Sequence, residues 1–368
     1  MSSRLIERLD AAIAKADDPL ARECLKAERA GALARHGLLA DAKFALAGVR
    51  SQSQRHKQPA LAVWVQLVEG MIEHFATIAP SAREKFRRAL ALATEADDAP
   101  LRALCAAWLA TADFNASDLP AMAQHAALAL RCATPADHAA HARASLILAD
   151  AYRYGGDEAQ SVRWYGRARA NASAEGDSAM VSALMHNMAT MRASRIEQEH
   201  AFGQADEAEA RRALMEAESA GHFESGVGTA SLVASVPLVR AQLCAVLGRY
   251  DDAVGLFNEY LGLARAEGSG NREPRFLAER AWCEQQRGRT IDALRDAKQA
   301  ALHLAAQLDP DDRAVAHARL AQVFQAQGKD DDAHAHTVCA QRSLAEHVAA
   351  QQQMLAVLQA SMADVAVG

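Results

Sequence analysis

Large apolar side chains stand four residues beyond an alanine at Ala42/Leu46, Ala82/Phe86 and Ala253/Phe257. Each pair therefore shares one face of a helix. Upstream of these pairs a glycine recurs five residues before an alanine, with mostly polar residues between: Gly37/Ala42, Gly203/Ala208, Gly248/Ala253, Gly288/Ala293 and Gly328/Ala333. Gly248, Gly288 and Gly328 are spaced by 40 residues. A glycine there ends one helix in the left-handed conformation, and the acidic residues that follow favour the start of the next against its dipole. Seven residues before four of these glycines stand Ala30, Ala241, Ala281 and Ala321, small enough to let two helices of a hairpin approach closely. The pattern predicts about eight helical hairpins from Pro19 onward, after a leading helix over 1–18.

Prolines fit that reading, because Pro19, Pro59, Pro100 and Pro274 each precede a helical stretch, where a proline in the first turn loses no hydrogen bond. The glycine- and serine-rich run from Gly226 to Val236, just before Pro237, reads as an irregular insertion. The hairpin array is expected over 19–343. Beyond it, no breaker interrupts Asp330 to about Met362, a helix of about 33 residues and about 50 Å at 1.5 Å per residue. Over 344–368 this helix extends past the last hairpin, with Val348, Leu355 and Met362 at heptad spacing and Leu358 on a companion position. It reads either as a cap on the last repeat or as a seam that pairs with a second copy in a homodimer.

Composition agrees with an all-α chain. Hydrophobic residues make up 51% and aromatics 5%, with the good helix formers Ala, Leu, Arg, Gln and Glu dominant and the β-branched and aromatic residues of a sheet scarce. Forty basic and 46 acidic residues are scattered in both signs for a net charge of -6, with no basic block to neutralise phosphates, so nucleic acid is not expected as a partner. Cys24, Cys105, Cys132, Cys244, Cys283 and Cys339 are widely separated and read as reduced packing residues. The amino-terminal residues lack the apolar core of a signal peptide, and no apolar run suffices to cross a bilayer, so a cytoplasmic protein without membrane association is expected.

The small residue, glycine turn, alanine and large apolar residue at these positions resemble the tetratricopeptide repeat family. Leu148-Ala149-Asp150-Ala151-Tyr152 before Gly155-Gly156, and Gly70 with Ala82, Phe86 and Ala89, extend the match into the middle of the chain. The resemblance implies a right-handed superhelical solenoid of antiparallel hairpins. It departs from the family in a period nearer 40 residues than the usual shorter one, in a unit around Asn115 that fits poorly, and in longer helices between Ser178 and Phe223.

Chemistry-bearing motifs are few. Gly155-Gly156-Asp157-Glu158-Ala159 nearly spells a diguanylate-cyclase signature, but its flanks read as helices, and an inter-helix turn accounts for it. His138/His141 and His334/His336 lack the surroundings of a metal site, and neither a nucleophile elbow nor a phosphate-cradling loop is present. No catalytic residue, metal or cofactor is expected. Met180, Met185, Met188 and Met191 cluster around Asn187 and read as packing.

In the family resembled, the first helix of each hairpin lines the inner surface. That resemblance implies a partner-binding groove of Arg143, Asp150, Arg153, His186, Asn187, Thr190, Gln242, Glu279, Trp282, Gln286, Arg319 and Gln322. Amides and arginines there suit a peptide backbone or carboxylate, and Trp282 suits an apolar anchor. The expected function is a non-catalytic scaffold for a peptide or helical segment of another protein. The alternative is a signal-sensing module that binds a small peptide or metabolite and acts on a separate output protein.

Overall fold

The computed structural model describes residues 3–204, 206–227, 233–304 and 309–363. All regular structure among them is helical. A leading helix α1 (Arg4–Lys15) is followed by eight pairs: α2 (Pro19–Arg35) and α3 (Leu39–His56), α4 (Pro59–Thr77) and α5 (Ser81–Glu95), α6 (Ala99–Asn115) and α7 (Leu119–Cys132), α8 (His138–Tyr154) and α9 (Glu158–Glu175), α10 (Ser178–Ala201) and α11 (Glu207–Val227), α12 (Ser235–Val246) and α13 (Tyr250–Ala264), α14 (Glu273–Gln286) and α15 (Thr290–His303), α16 (Pro310–Ala326) and α17 (Asp330–Met362). Short π and 3₁₀ turns over Arg265–Ser269 and Gly270–Arg272 link α13 to α14. The expected insertion before Pro237 lies partly outside the described residues, which resume at Val233, with α12 beginning at Ser235.

One local device builds most of these hairpins. After α12, Gly248 turns left-handed (φ 72), and the next amide, of Arg249, closes the helix on the Cys244 carbonyl at 2.9 Å. The same six-residue closure ends α6, where Asp118 N donates to Asp113 O at 2.9 Å and Ser117 takes the left-handed place at φ 56. The unit around Asn115, which fits the glycine pattern poorly, is therefore a regular hairpin with serine in the glycine position. Four starts share a device too: Asp18, Asp98, Asp118 and Asp157 each accept a backbone N–H three residues on, at 2.8–3.3 Å, an arrangement worth about 1 kcal/mol per cap. Asp157 is the aspartate of the Gly-Gly-Asp-Glu run, so that run is a helix cap.

The chain forms two compact units, the first of residues 1–185, 223–231 and 353–368, the second of 186–222 and 232–352. Their boundary falls inside α10, a division the repeat pattern does not mark. Within the first unit α2 packs on α4 and α6 on α8; within the second α14 packs on α16, while α12 touches α14 only lightly. The second helices α3, α5, α7 and α9 make no comparable contacts with one another, nor do α13 and α15. In each unit the first helices therefore crowd the inner side of the curve. Small residues allow it: a Cβ added at Gly31 of α2 would stand 3.0 Å from Met71 Sδ of α4, and Ala30, Ala241 and Ala281 are wholly buried.

The end of α17 settles into the first unit. Met354 and Leu358 are fully buried and Met362 nearly so, in a cluster with Leu148, Ala151, Trp164 and Tyr165. Leu355 lies over Gly155, where a Cβ would come within 2.8 Å of its Cδ2. Leu358 and Met362, read from sequence as members of a dimer seam, thus face their own chain; of the four seam positions only Val348 is exposed. Removing residues 353–368 is expected to lower stability by several kcal/mol, from about 1.5–3 kcal/mol for each large apolar side chain lost, without altering oligomeric state. Denaturant unfolding and sedimentation check this; a change of oligomeric state at intact stability would reinstate the seam.

Gly70 supplies a second test. A Cβ there would lie 2.5 Å from Phe86 Cε1, inside a core where Phe86 is wholly buried, whereas nothing lies within 4 Å of a Cβ at Gly48. Gly70→Ala is expected to destabilise by about 1–3 kcal/mol through overpacking, and Gly48→Ala to stabilise by up to about 1 kcal/mol through helix propensity. Opposite signs in thermal melts are the expected outcome.

Candidate functional site

Side chains on the inner faces of first helices are dry in both units, and the two units treat their charges differently. In the second unit the last turns of α10 lie across α12, α14 and α16. Glu197 of α10 accepts from Gln242 Nε2 of α12 at 2.6 Å and pairs with Arg275 of α14. Arg275 pairs in turn with Asp312 of α16 and donates to Ser194 Oγ at 3.2 Å. One turn on, Arg319 of α16 donates to Glu279 Oε1 of α14 at 2.7 Å, to Gln322 Oε1 at 3.0 Å and to His200 Nδ1 of α10 at 2.7 Å. Its guanidinium stacks over Trp282 at 4.0 Å, and His200 and Tyr250 meet that indole edge-on. Gln322 Nε2 caps the Ala201 carbonyl at 2.9 Å, closing the end of α10.

Glu197, Arg275 and Glu279 are completely buried and Arg319 is 1% exposed. Three guanidiniums, those of Arg275, Arg319 and the less buried Arg272, which donates to Asp312 at 3.1 Å, face three buried carboxylates, those of Glu197, Glu279 and Asp312. Burial pushes the Glu197 carboxyl up to about 8, against the opposing pull of Arg275, and neighbouring Glu279 adds to the upward push. His200 accepts from Arg319 and is neutral, pushed down by burial and then by Arg319. Breaking this network by removing one partner costs about 3–5 kcal/mol, because the other charge stays buried and alone.

Of the groove positions read from sequence, the structure brings Gln242, Glu279, Trp282, Arg319 and Gln322 together. Their polar atoms meet α10 and one another. The physical reason is the length of α10, 24 residues against the 17 of α2, α6, α8 and α16. Its extra turns cover faces that the repeat pattern would leave open. Glu197, Ser194, His200 and Arg275 were missed, and the legible signal for them was the excess length after Ser178. His186, Asn187 and Thr190 are half-buried earlier on α10, with His186 Nε2 3.1 Å from Ser235 Oγ. Gln286 is exposed.

The remaining groove positions, Arg143, Asp150 and Arg153, lie on α8 in the first unit. Arg153 pairs with Glu158 at 2.7 Å, and Asp150 accepts from the Tyr165 hydroxyl. Arg143 is 6% exposed and stacks over Trp108 of α6 with its Cζ 3.9 Å from the ring centroid. Burial and then the charge of Arg35 lower it to about 10. His74 of α4, beside Trp108, is pushed down to about 4 by burial and then by Arg143. Arg35, at the end of α2, pairs with Asp177 at 3.0 Å.

No group of three or more metal-binding side chains assembles among the described residues. His138 Nδ1 meets Asn171 Oδ1 at 2.8 Å and His141 Nε2 meets the Thr134 carbonyl at 3.0 Å, while His336 Nδ1 stands 2.8 Å from His317 Nδ1. No described helix is long and apolar enough to cross a membrane.

Comparison with solved structures finds a likeness over 94% of this chain and 92% of the other, at 12% sequence identity and a TM-score of 0.55. The neighbour is a Rap protein. Its structure was determined in complex with Competence and Sporulation Factor. Likeness to the Rap protein at this identity establishes the fold alone, an all-α helical repeat of the tetratricopeptide-like kind. No family model matches the chain, and no curated protein matches its sequence.

The raised Glu197 carboxyl predicts a pH dependence of stability for the second unit. Its folded-state affinity for a proton exceeds the unfolded one, so its contribution is complete below about pH 4.5, declines above it and is lost by about pH 8. The shift corresponds to a few kcal/mol, on the order of 1.4 kcal/mol per unit. Buried histidines held down, such as His317 at about 4, act with the opposite sign up to about pH 6.5. The informative quantity is therefore the difference between Glu197→Gln and wild type. Unfolding free energies measured from pH 5 to 8 are expected to move in favour of the variant as pH rises; a flat difference refutes the raised Glu197 carboxyl.

Proposed function

We propose that the chain is a non-catalytic interaction protein that holds a peptide or helical segment of a partner against the inner faces of the first helices of its first unit. Arg143 carries this reading. The corresponding arginines of the second unit, Arg275 and Arg319, are paired within the fold, whereas Arg143 has neither a hydrogen bond nor an ion pair among the described residues. A protein that keeps a buried cation unpaired retains an unspent interaction for something outside the chain. The likeness to a Rap protein solved in complex with a factor supports a helical repeat with a ligand rather than an enzyme.

That same complex favours one second reading, a signal-sensing module that takes a small peptide or metabolite and acts on a separate output protein. The two differ in what is bound and agree on where.

Hydrogen exchange with and without material retained from an extract of the source cells tests the proposal. Protection is expected on α2, α4, α6 and α8, with α5, α7 and α9 unchanged. Retained protein or peptide giving that pattern supports the scaffold, and a metabolite giving it supports the sensor. Protection confined to second helices, or to α13 to α17, overturns both.

A further inference from the structure

Second helices spread apart leave room between them, and α3, α4 and α5 together line a cleft of about 480 Å³ in the first unit. That volume lies within the range of small-molecule sites. Ala62 and Val65 of α4 and Ala91 and Leu92 of α5 make the lining largely apolar. Gln66 of α4 also lines it, and its Oε1 is buried without a hydrogen-bond partner. A buried acceptor left unmade is unfavourable, and an apolar side chain at that position would avoid the cost. Charges at the rim are engaged with one another. Glu69 takes both Arg50 and, at 2.6 Å, Lys85, while Arg88 donates to Glu84 at 3.1 Å. What the cleft offers is apolar surface and one unmet acceptor.

We propose that this cleft binds a neutral small molecule with an apolar body and one N–H or O–H group, which donates to Gln66 Oε1. Apolar contact supplies affinity and the amide fixes orientation, the division of labour usual in such sites. Only a donor satisfies a carbonyl oxygen, so a ligand of the same shape with an acceptor in that place is rejected. A charged ligand is disfavoured as well. The rim charges already have partners, and a charge among Ala62, Val65, Ala91 and Leu92 would be desolvated without one. Because the cleft lies between the second helices α3 and α5, this site is separate from the inner-face binding proposed above, and neither reading depends on the other.

Two probes test this on the full chain by ligand-observed NMR titration: indole, whose N–H is its one donor, and benzofuran, of the same shape with an acceptor oxygen in that place. Wild type is expected to hold indole about three- to tenfold more tightly than benzofuran. Gln66→Met keeps the bulk of the side chain without the acceptor and should bind the two alike. It also removes an orphaned polar atom, so its Tm without ligand is expected at or above that of wild type. Ala91 is exposed on α5, so Ala91→Leu fills the cleft from its open side without crowding the core. That variant should lose indole binding by about tenfold or more at unchanged Tm. Equal binding of the two probes by wild type, or a preference for benzofuran, overturns the proposed donor. A lower Tm for Gln66→Met, with its preference for indole kept, makes the amide structural and overturns its role in binding. Indole binding that survives Ala91→Leu lies elsewhere and overturns the site, as does the absence of any binding to wild type.

Discussion

Close approach of first helix to first helix is the constraint on which the rest of the molecule depends. Alanine and glycine at the contacts, as at Ala30, Gly31, Ala241 and Ala281, let backbones come together where larger side chains would hold them apart. The second helices are not bound in this way and spread on the outer side, keeping a narrow buried stripe such as Ala253, Phe257 and Leu261 on α13. Buried runs on first helices are nearly continuous instead: Ala142 to Ala151 on α8 lie out of water on every side. Close packing and burial thus go together, since the contacts that bring first helices near one another also take much of their surface out of water.

Polar side chains on those faces then have no middle course, because a buried charge is either paired or strongly unfavourable. In the second unit α10 answers this by lying across three helices and contributing Glu197 and His200, so that Arg275 and Arg319 each pair with a buried carboxylate. In the first unit Arg35 pairs with Asp177 and Asp150 accepts from Tyr165, while Arg143 stacks on Trp108 and makes no hydrogen bond or ion pair among the described residues. Two stretches built on one repeat pattern therefore differ in the property that matters for binding, and the difference rests on a few residues and the length of one helix.

Repeated local chemistry made the hairpins legible. Gly248, Gly288 and Gly328 turn left-handed where their spacing places them, and the helix from Asp330 to Met362 has the length that its lack of breakers implies. Less was legible where a different residue does the same job, as with Ser117 in the glycine position. The groove was legible as a set of positions on first helices and illegible as a surface. Trp282 and Arg319 are where the repeat pattern puts them, yet their partner His200 lies on a helix far away in sequence.

Sequence alone determined what depends on near neighbours along the chain: helical content, the caps at Asp18, Asp98 and Asp157, the turns, and which face of each helix turns inward. Those are settled by backbone sterics, capping hydrogen bonds and helical periodicity, all acting within a few residues. Only the tertiary structure decided which inner faces are covered, that Leu358 and Met362 lie in a core rather than at a seam, and which buried arginine remains without a carboxylate. Pairing and burial of charges depend on distances between helices tens to more than a hundred residues apart, and no local pattern encodes such a distance.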